Sequence, residues 1–152
     1  MDLNDILDER IITIGLDAKD KEDALYQMSE QLYQQGYIDN VEEFVKDIYA
    51  REAEGVTGIG QGIAIPHGKS KSAARLGIAI ATLKKPIAWE TLDGEDVKAI
   101  FLFCVSNDAD FERNHMVMLS RVAARLADDE LIAKVITSQS SQELIHMMRA
   151  PA

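Results

Sequence analysis

The strongest candidate for chemistry in this sequence is His67, in the run Ile63-Ala64-Ile65-Pro66-His67-Gly68-Lys69. Proline removes a ladder donor, so the apolar residues read as a short strand that Pro66 ends. That places His67 at a rim rather than in a core. Gly68 brings no side-chain wall, so a bulky partner is expected to reach the imidazole, and nearby main-chain amides to bind an anion. Imidazole is unprotonated near neutral pH and can attack phosphorus to give a phosphoramidate. Phosphoryl transfer needs positioning and charge stabilisation more than elaborate covalent machinery. An arginine and a second histidine near the acceptor would supply much of that. Arg51 and His115 are the candidates.

Other chemistries fit less well. A nucleotide-binding P-loop needs two glycines separated by four residues and then Lys-Ser or Lys-Thr. Gly62 and Gly68 are separated by five, and Pro66 removes an amide that would cradle phosphate. His67, His115 and His146 are the only histidines, and no two have metal-ligand spacing, so no metal site is expected. His146, beside Met147 and Met148, has no motif around it and reads as structural. Cys104 is the single cysteine and lies inside Ile100-Phe101-Leu102-Phe103-Cys104-Val105, the context of a small core residue rather than a redox thiol.

The elements that must hold these residues follow from periodicity. Ile11 to Ile14 is β-branched and reads as a strand, and a helix is expected from about Asp20 to Gln35, stopped by Gly36. Asn40 with Glu43 makes a capping box ahead of Val41, Phe44, Val45 and Ile48, a helical stripe. Three residues past Ile48 comes Arg51, suited both to the helix dipole and to a role beyond the helix. Four glycines between Gly55 and Gly62 point to unusual backbone angles or close packing. Leu76 to Ala81 and Ala99 to Val105 are near-continuous apolar runs, as in strands covered on both faces. Between them lie Pro86-Ile87-Ala88-Trp89 and a turn at Asp93-Gly94. The last third reads as helical. His115, Leu119, Val122 and Leu126 share a face, Asp128-Asp129 restarts the chain, and Ser140 with Glu143 caps a final helix. Strands interleaved with helices give an α/β domain, expected to be one unit spanning residues 1–152.

Composition narrows the partners. The chain has 152 residues, enough to bury its own core without disulfide or metal staples. With 16 basic and 26 acidic residues its net charge is −10, which argues against nucleic acid and against anionic lipid surfaces. No segment approaches the roughly 20 apolar residues of a membrane span, and the start, Met1-Asp2-Leu3-Asn4-Asp5, lacks a cationic signal-like region. A cytoplasmic location without membrane insertion is the expectation.

The stretch from Glu52 to Gly68 resembles the signature of enzyme IIA domains of the fructose/mannitol family in the bacterial phosphoenolpyruvate-dependent sugar phosphotransferase system. That pattern is an acidic or amide residue, six positions, apolar-Gly, two positions, then apolar-Ala-apolar-Pro-His-Gly. Glu52, Ile59-Gly60 and Ile63 to Gly68 fill every fixed position. Pro86-Ile87, Trp89, Leu92-Asp93-Gly94 and Val97 resemble the family's hairpin region, with a lean toward its fructose subgroup. Asn114-His115, Leu119 and Leu126 resemble its second-histidine helix. Val56 stands where many members have serine.

The resemblance implies a mixed sheet flanked by helices on both sides and a phosphocarrier without cofactor. Phosphorylated HPr would donate to His67 at Nε2, with Arg51 and His115 assisting, and an enzyme IIB domain would accept the group. With no length for a IIB or membrane domain, a free-standing carrier is expected. The alternative is a regulator, like the nitrogen-related members with the same histidine motif, which acts through phosphorylation-dependent partner binding.

Overall fold

The computed structural model describes residues 6–149, with the side chains of residues 109–115 and 118 outside that description. A short 3-10 turn, Glu9–Ile11, leads into β1 (Ile12–Leu16). Two helices follow, α1 (Lys21–Gln34) and α2 (Val41–Glu52). Then come β2 (Gly58–Gly60), β3 (Ile63–Ala64), β4 (His67–Ser70), β5 (Gly77–Ile87) and β6 (Val97–Ser106). Helices α3 (Ala109–Arg125), α4 (Asp129–Ile136) and α5 (Ser141–Arg149) complete the chain.

The sheet is mixed and runs β1-β5-β6-β3-β2, with β4 also on β6. β6 is its spine. Side chains alternate across a strand, and both of this strand's faces are apolar. Ala99, Phe101, Phe103 and Val105 join a core with Val122, Leu126, Ile132, Val135 and Leu144 from α3 to α5. Ile100, Leu102 and Cys104 join the opposite core with Leu25, Met28 and Leu32 of α1 and Phe44 and Ile48 of α2. This is the α/β domain with helices on both faces that the sequence implied.

Capping explains where the helices begin. Asp20 accepts from the amide of Asp23 (2.8 Å) and Asn40 from that of Glu43 (2.9 Å), so both orphan helix starts are satisfied. Asp128 accepts from the amides of both Glu130 and Leu131. Asp128→Ala is therefore expected to cost about 1 kcal/mol of stability, read as a lower urea midpoint at unchanged slope.

Two strands depart from the sequence reading. β5 continues through Pro86 to Ile87, past the expected end, and its pairing with β6 becomes irregular between Thr82 and Ile87. A ladder already broken there tolerates the missing proline amide. The second departure is β4. His67 does not sit in a loop after the last strand residue; it opens a strand parallel to β6. Ala64 opposes Ile100 and His67 opposes Phe103, three residues on along both chains, so β3 and β4 keep one register across Ile65-Pro66. Pro66 interrupts the ladder without ending it, because its carbonyl still accepts from the Phe103 amide (3.0 Å).

Candidate functional site

The break between β3 and β4 sets the imidazole of His67. The ring lies on the side of the sheet where Phe103 points, edge-on to that ring at 4.8 Å between centroids. Nδ1 lies 2.7 Å from the Ile65 carbonyl oxygen. A carbonyl can only accept, so Nδ1 carries the proton and the neutral ring presents its lone pair at Nε2.

The residue after His67 explains its own identity differently from the sequence reading. Gly68 does not leave room for a partner. A Cβ there would point at the opposite face and fall on the ring of Phe44 in α2, 2.8 Å from Cε2 and closer still to Cζ. Glycine is required because α2 packs directly on the β4 backbone. The glycines upstream divide in the same way. Gly60 and Gly62 take positive φ, 100° and 83°, on either side of Gln61 at 57°, and so make the tight turn from β2 to β3. Asp93 clamps that turn by accepting from the Gln61 amide (2.9 Å).

Helix α2 ends beside the histidine. Arg51 donates from Nη1 to the Gly55 carbonyl (3.2 Å), tying down the loop that follows the helix. Glu52, the first fixed residue of the motif, turns inward with its side chain 8% exposed. Its Oε2 accepts from the Thr57 hydroxyl and its Oε1 pairs with Lys21 Nζ, both at 2.6 Å. Lys21 also pairs with Glu90 (2.9 Å) and lies 4.8 Å from the centroid of the Trp89 ring. Burial works against its charge, but the two carboxylates outweigh that and its pKa is raised. Thr57 is fully buried, and its carbonyl accepts from the Ile65 amide (2.9 Å).

Burial is the largest influence on His67 and lowers its pKa. The bond to Ile65 opposes this, the nearby positive charge of Arg51 lowers the pKa further, and Glu52 raises it. The net shift is downward, so the ring stays neutral and nucleophilic into mildly acidic solution. Unfolded, the same ring takes up a proton near its ordinary pKa of 6.5. Between the two pKa values the unfolded chain holds more protons. His67 therefore contributes stability that is complete above the unfolded pKa and lost as pH falls toward the folded one. A His67→Gln variant is expected to lose this part of the acid slope. Urea titrations at neutral and mildly acidic pH measure it, and equal slopes in variant and parent would contradict it.

The structure thus brings Arg51 and the motif residues Glu52 and His67 to one place. His115 lies within α3, but its side chain, like that of Asn114, is outside the described residues. Met116 and Val117, next along α3, are exposed, as is Val56 in the loop after α2. His146 is exposed on α5. Cys104 is fully buried, and burial pushes its thiol up to about 12, which suits core packing rather than nucleophilic work. Among the described residues no three His, Cys, Asp or Glu side chains converge to hold a metal, and no helix is long and apolar enough to cross a membrane. Sequence reasoning assigned no role to Thr57 or Lys21. The fixed acidic position of the motif, Glu52, was the available signal for the network, while nothing in the local sequence marks Lys21.

A family model described as phosphoenolpyruvate-dependent sugar phosphotransferase system, EIIA 2, matches residues 5–150. The chain is 32% identical over 125 residues to the PTS system 2-O-alpha-mannosyl-D-glycerate-specific EIIABC component of Escherichia coli (strain K12). That match covers 82% of this chain but only 19% of the larger relative. It is 32% identical over 149 residues to a nitrogen regulatory protein of Klebsiella oxytoca, covering 97% of this chain and 90% of that protein. In fold it is similar to enzyme IIA-mannitol of Escherichia coli, solved as a complex with phosphorylated enzyme IIB-mannitol. The TM-score there is 0.77 at 21% identity, covering 93% of this chain and 96% of that one.

Proposed function

The chain belongs to the EIIA 2 family of the phosphoenolpyruvate-dependent sugar phosphotransferase system, and from that we propose that His67 Nε2 is its phosphoryl acceptor. The donor is a phosphohistidine on the carrier HPr, and the group passes on to an enzyme IIB component for sugar uptake. The observation that carries this is the bond from Nδ1 to the Ile65 carbonyl, which leaves Nε2 as the ring's free lone pair. In the transfer an Nε2–P bond forms as the donor's N–P bond breaks, and the donor imidazole recovers its lone pair. Neither ring needs to lose a proton for this step. Arg51 supplies positive charge beside the acceptor and His115 a further donor, which is how oxygens of a transferring phosphoryl group are stabilised. The pairing with IIB is supported by the complex of the mannitol relative. The fructose-like features at Pro86-Ile87-Ala88-Trp89 and Leu92-Asp93-Gly94 favour a fructose-type uptake route.

Incubation with phosphoenolpyruvate, Enzyme I and HPr tests the reading by intact mass. One added acid-labile phosphoryl group that requires HPr is the expected result. No gain beside a competent control IIA protein would overturn it. A second reading is regulatory, favoured by the match over 90% of the Klebsiella nitrogen regulatory protein. Rapid discharge to a IIB domain supports uptake, and a phosphoryl group that no IIB removes supports regulation.

A further inference from the structure

We propose that Glu52 is a positioning residue for His67, setting the orientation of the imidazole through the Thr57 hydroxyl and the main-chain bond from Ile65 to Thr57. The inference rests on the reading of His67 as phosphoryl acceptor and adds to it a residue that does not touch the reacting atoms.

The geometry is a continuous chain of directional bonds. Lys21 Nζ holds Oε1 of Glu52, whose Oε2 receives the Thr57 hydroxyl, each at 2.6 Å. The Thr57 carbonyl receives the Ile65 amide at 2.9 Å, and the Ile65 carbonyl receives Nδ1–H of His67 at 2.7 Å. Both ends of the carboxylate are committed, so it cannot rotate away from Thr57 without breaking a charge-assisted bond. Thr57 is 2% exposed, so its hydroxyl depends on Glu52 rather than bulk solvent for an acceptor. Ile65 falls in the interrupted part of the β3–β4 ladder, beside Pro66, which has no amide to contribute. The Thr57 contact replaces the sheet there as the anchor of the peptide to which the ring is bonded. Ring orientation decides whether Nε2 or Nδ1 meets the phosphorus, and small misplacements of a reacting atom are costly. The charges facing the ring from α2 are Arg51 and Glu52 itself. The side chain of His115 on α3 is outside the described residues.

The test separates positioning from packing by reading the ring directly. Nitrogen NMR of His67 in the parent protein is expected to show only the tautomer with hydrogen on Nδ1. In Glu52→Ala and in Thr57→Val, which keeps the shape of Thr57 without its hydroxyl, the other tautomer is expected to appear. Phosphoryl acceptance in both variants should slow about tenfold at saturating donor. Glu52→Gln can still accept from Thr57, so it is expected to restore the parent tautomer and most of the rate. His67 should then titrate lower in Glu52→Gln, because the carboxylate charge that favours the imidazolium is gone. An unchanged tautomer pattern in Thr57→Val would overturn the proposal, even if Glu52→Ala proved unstable. A parent protein that takes no phosphoryl group would sink the acceptor reading, while the tautomer spectra would still decide what Glu52 does to the ring.

Discussion

His67→Ala is expected to take up no acid-labile phosphoryl group from HPr while retaining a cooperative unfolding transition. The loss should be complete rather than graded, because in the proposed transfer Nε2 is the nucleophile itself and not one contributor to its stabilisation. The ring is only partly buried and touches Phe103 at its edge. Its removal should therefore cost about 1–3 kcal/mol, less than a full aromatic truncation in the core. Intact mass after incubation reads the first effect and urea unfolding the second. A phosphoryl group retained on histidine in the variant would move the acceptor to another residue. Loss of both phosphorylation and cooperative unfolding would instead mark His67 as a core residue.

Gly68→Ala is expected to be strongly damaging for a single added methyl group beside the site. Its Cβ would overlap the ring of Phe44, a fully buried side chain on which α2 packs against the sheet. Overpacking of this kind costs about 3 kcal/mol where backbone has to move. Phe44→Ala alone should cost about 3–5 kcal/mol through the cavity it opens. The double variant should fall well short of the sum, since truncating Phe44 removes the obstacle and the new methyl fills part of the void. Denaturant titrations of the three variants close this cycle. Strict additivity would show that something other than Phe44 excludes a side chain at position 68.

These two residues also show how far the sequence could be read. Helices α1 and α2 were legible almost to the residue, because Asp20 and Asn40 are polar caps in front of regular apolar stripes. Strands β5 and β6 were legible as apolar runs covered on both faces. β4 was not, since His67-Gly68-Lys69-Ser70 has none of the apolar alternation that marks a strand. It is a strand only because β6 offers it a parallel partner in the register already set by β3. The reason for Gly68 is not local, because the ring it accommodates belongs to a helix more than twenty residues earlier in the chain. His67 and Arg51 are candidates that chemistry and motif single out, and the structure places them beside each other. The Lys21–Glu52–Thr57 network was not legible, as it joins two helices and the loop before β2 and no local pattern records that they meet.

Trp89 gives that network an optical readout. It is the only tryptophan in the chain, and the ammonium lying over its ring is that of Lys21. The ammonium is held against the indole by a cation–π contact, so a change in Trp89 emission is the expected reporter of a move of Lys21. An event that loosens Glu52 leaves the ammonium held by Glu90 alone on the indole side and releases the threonine on the histidine side. Trp89 emission is then the expected label-free report on the peptide to which the His67 ring is bonded.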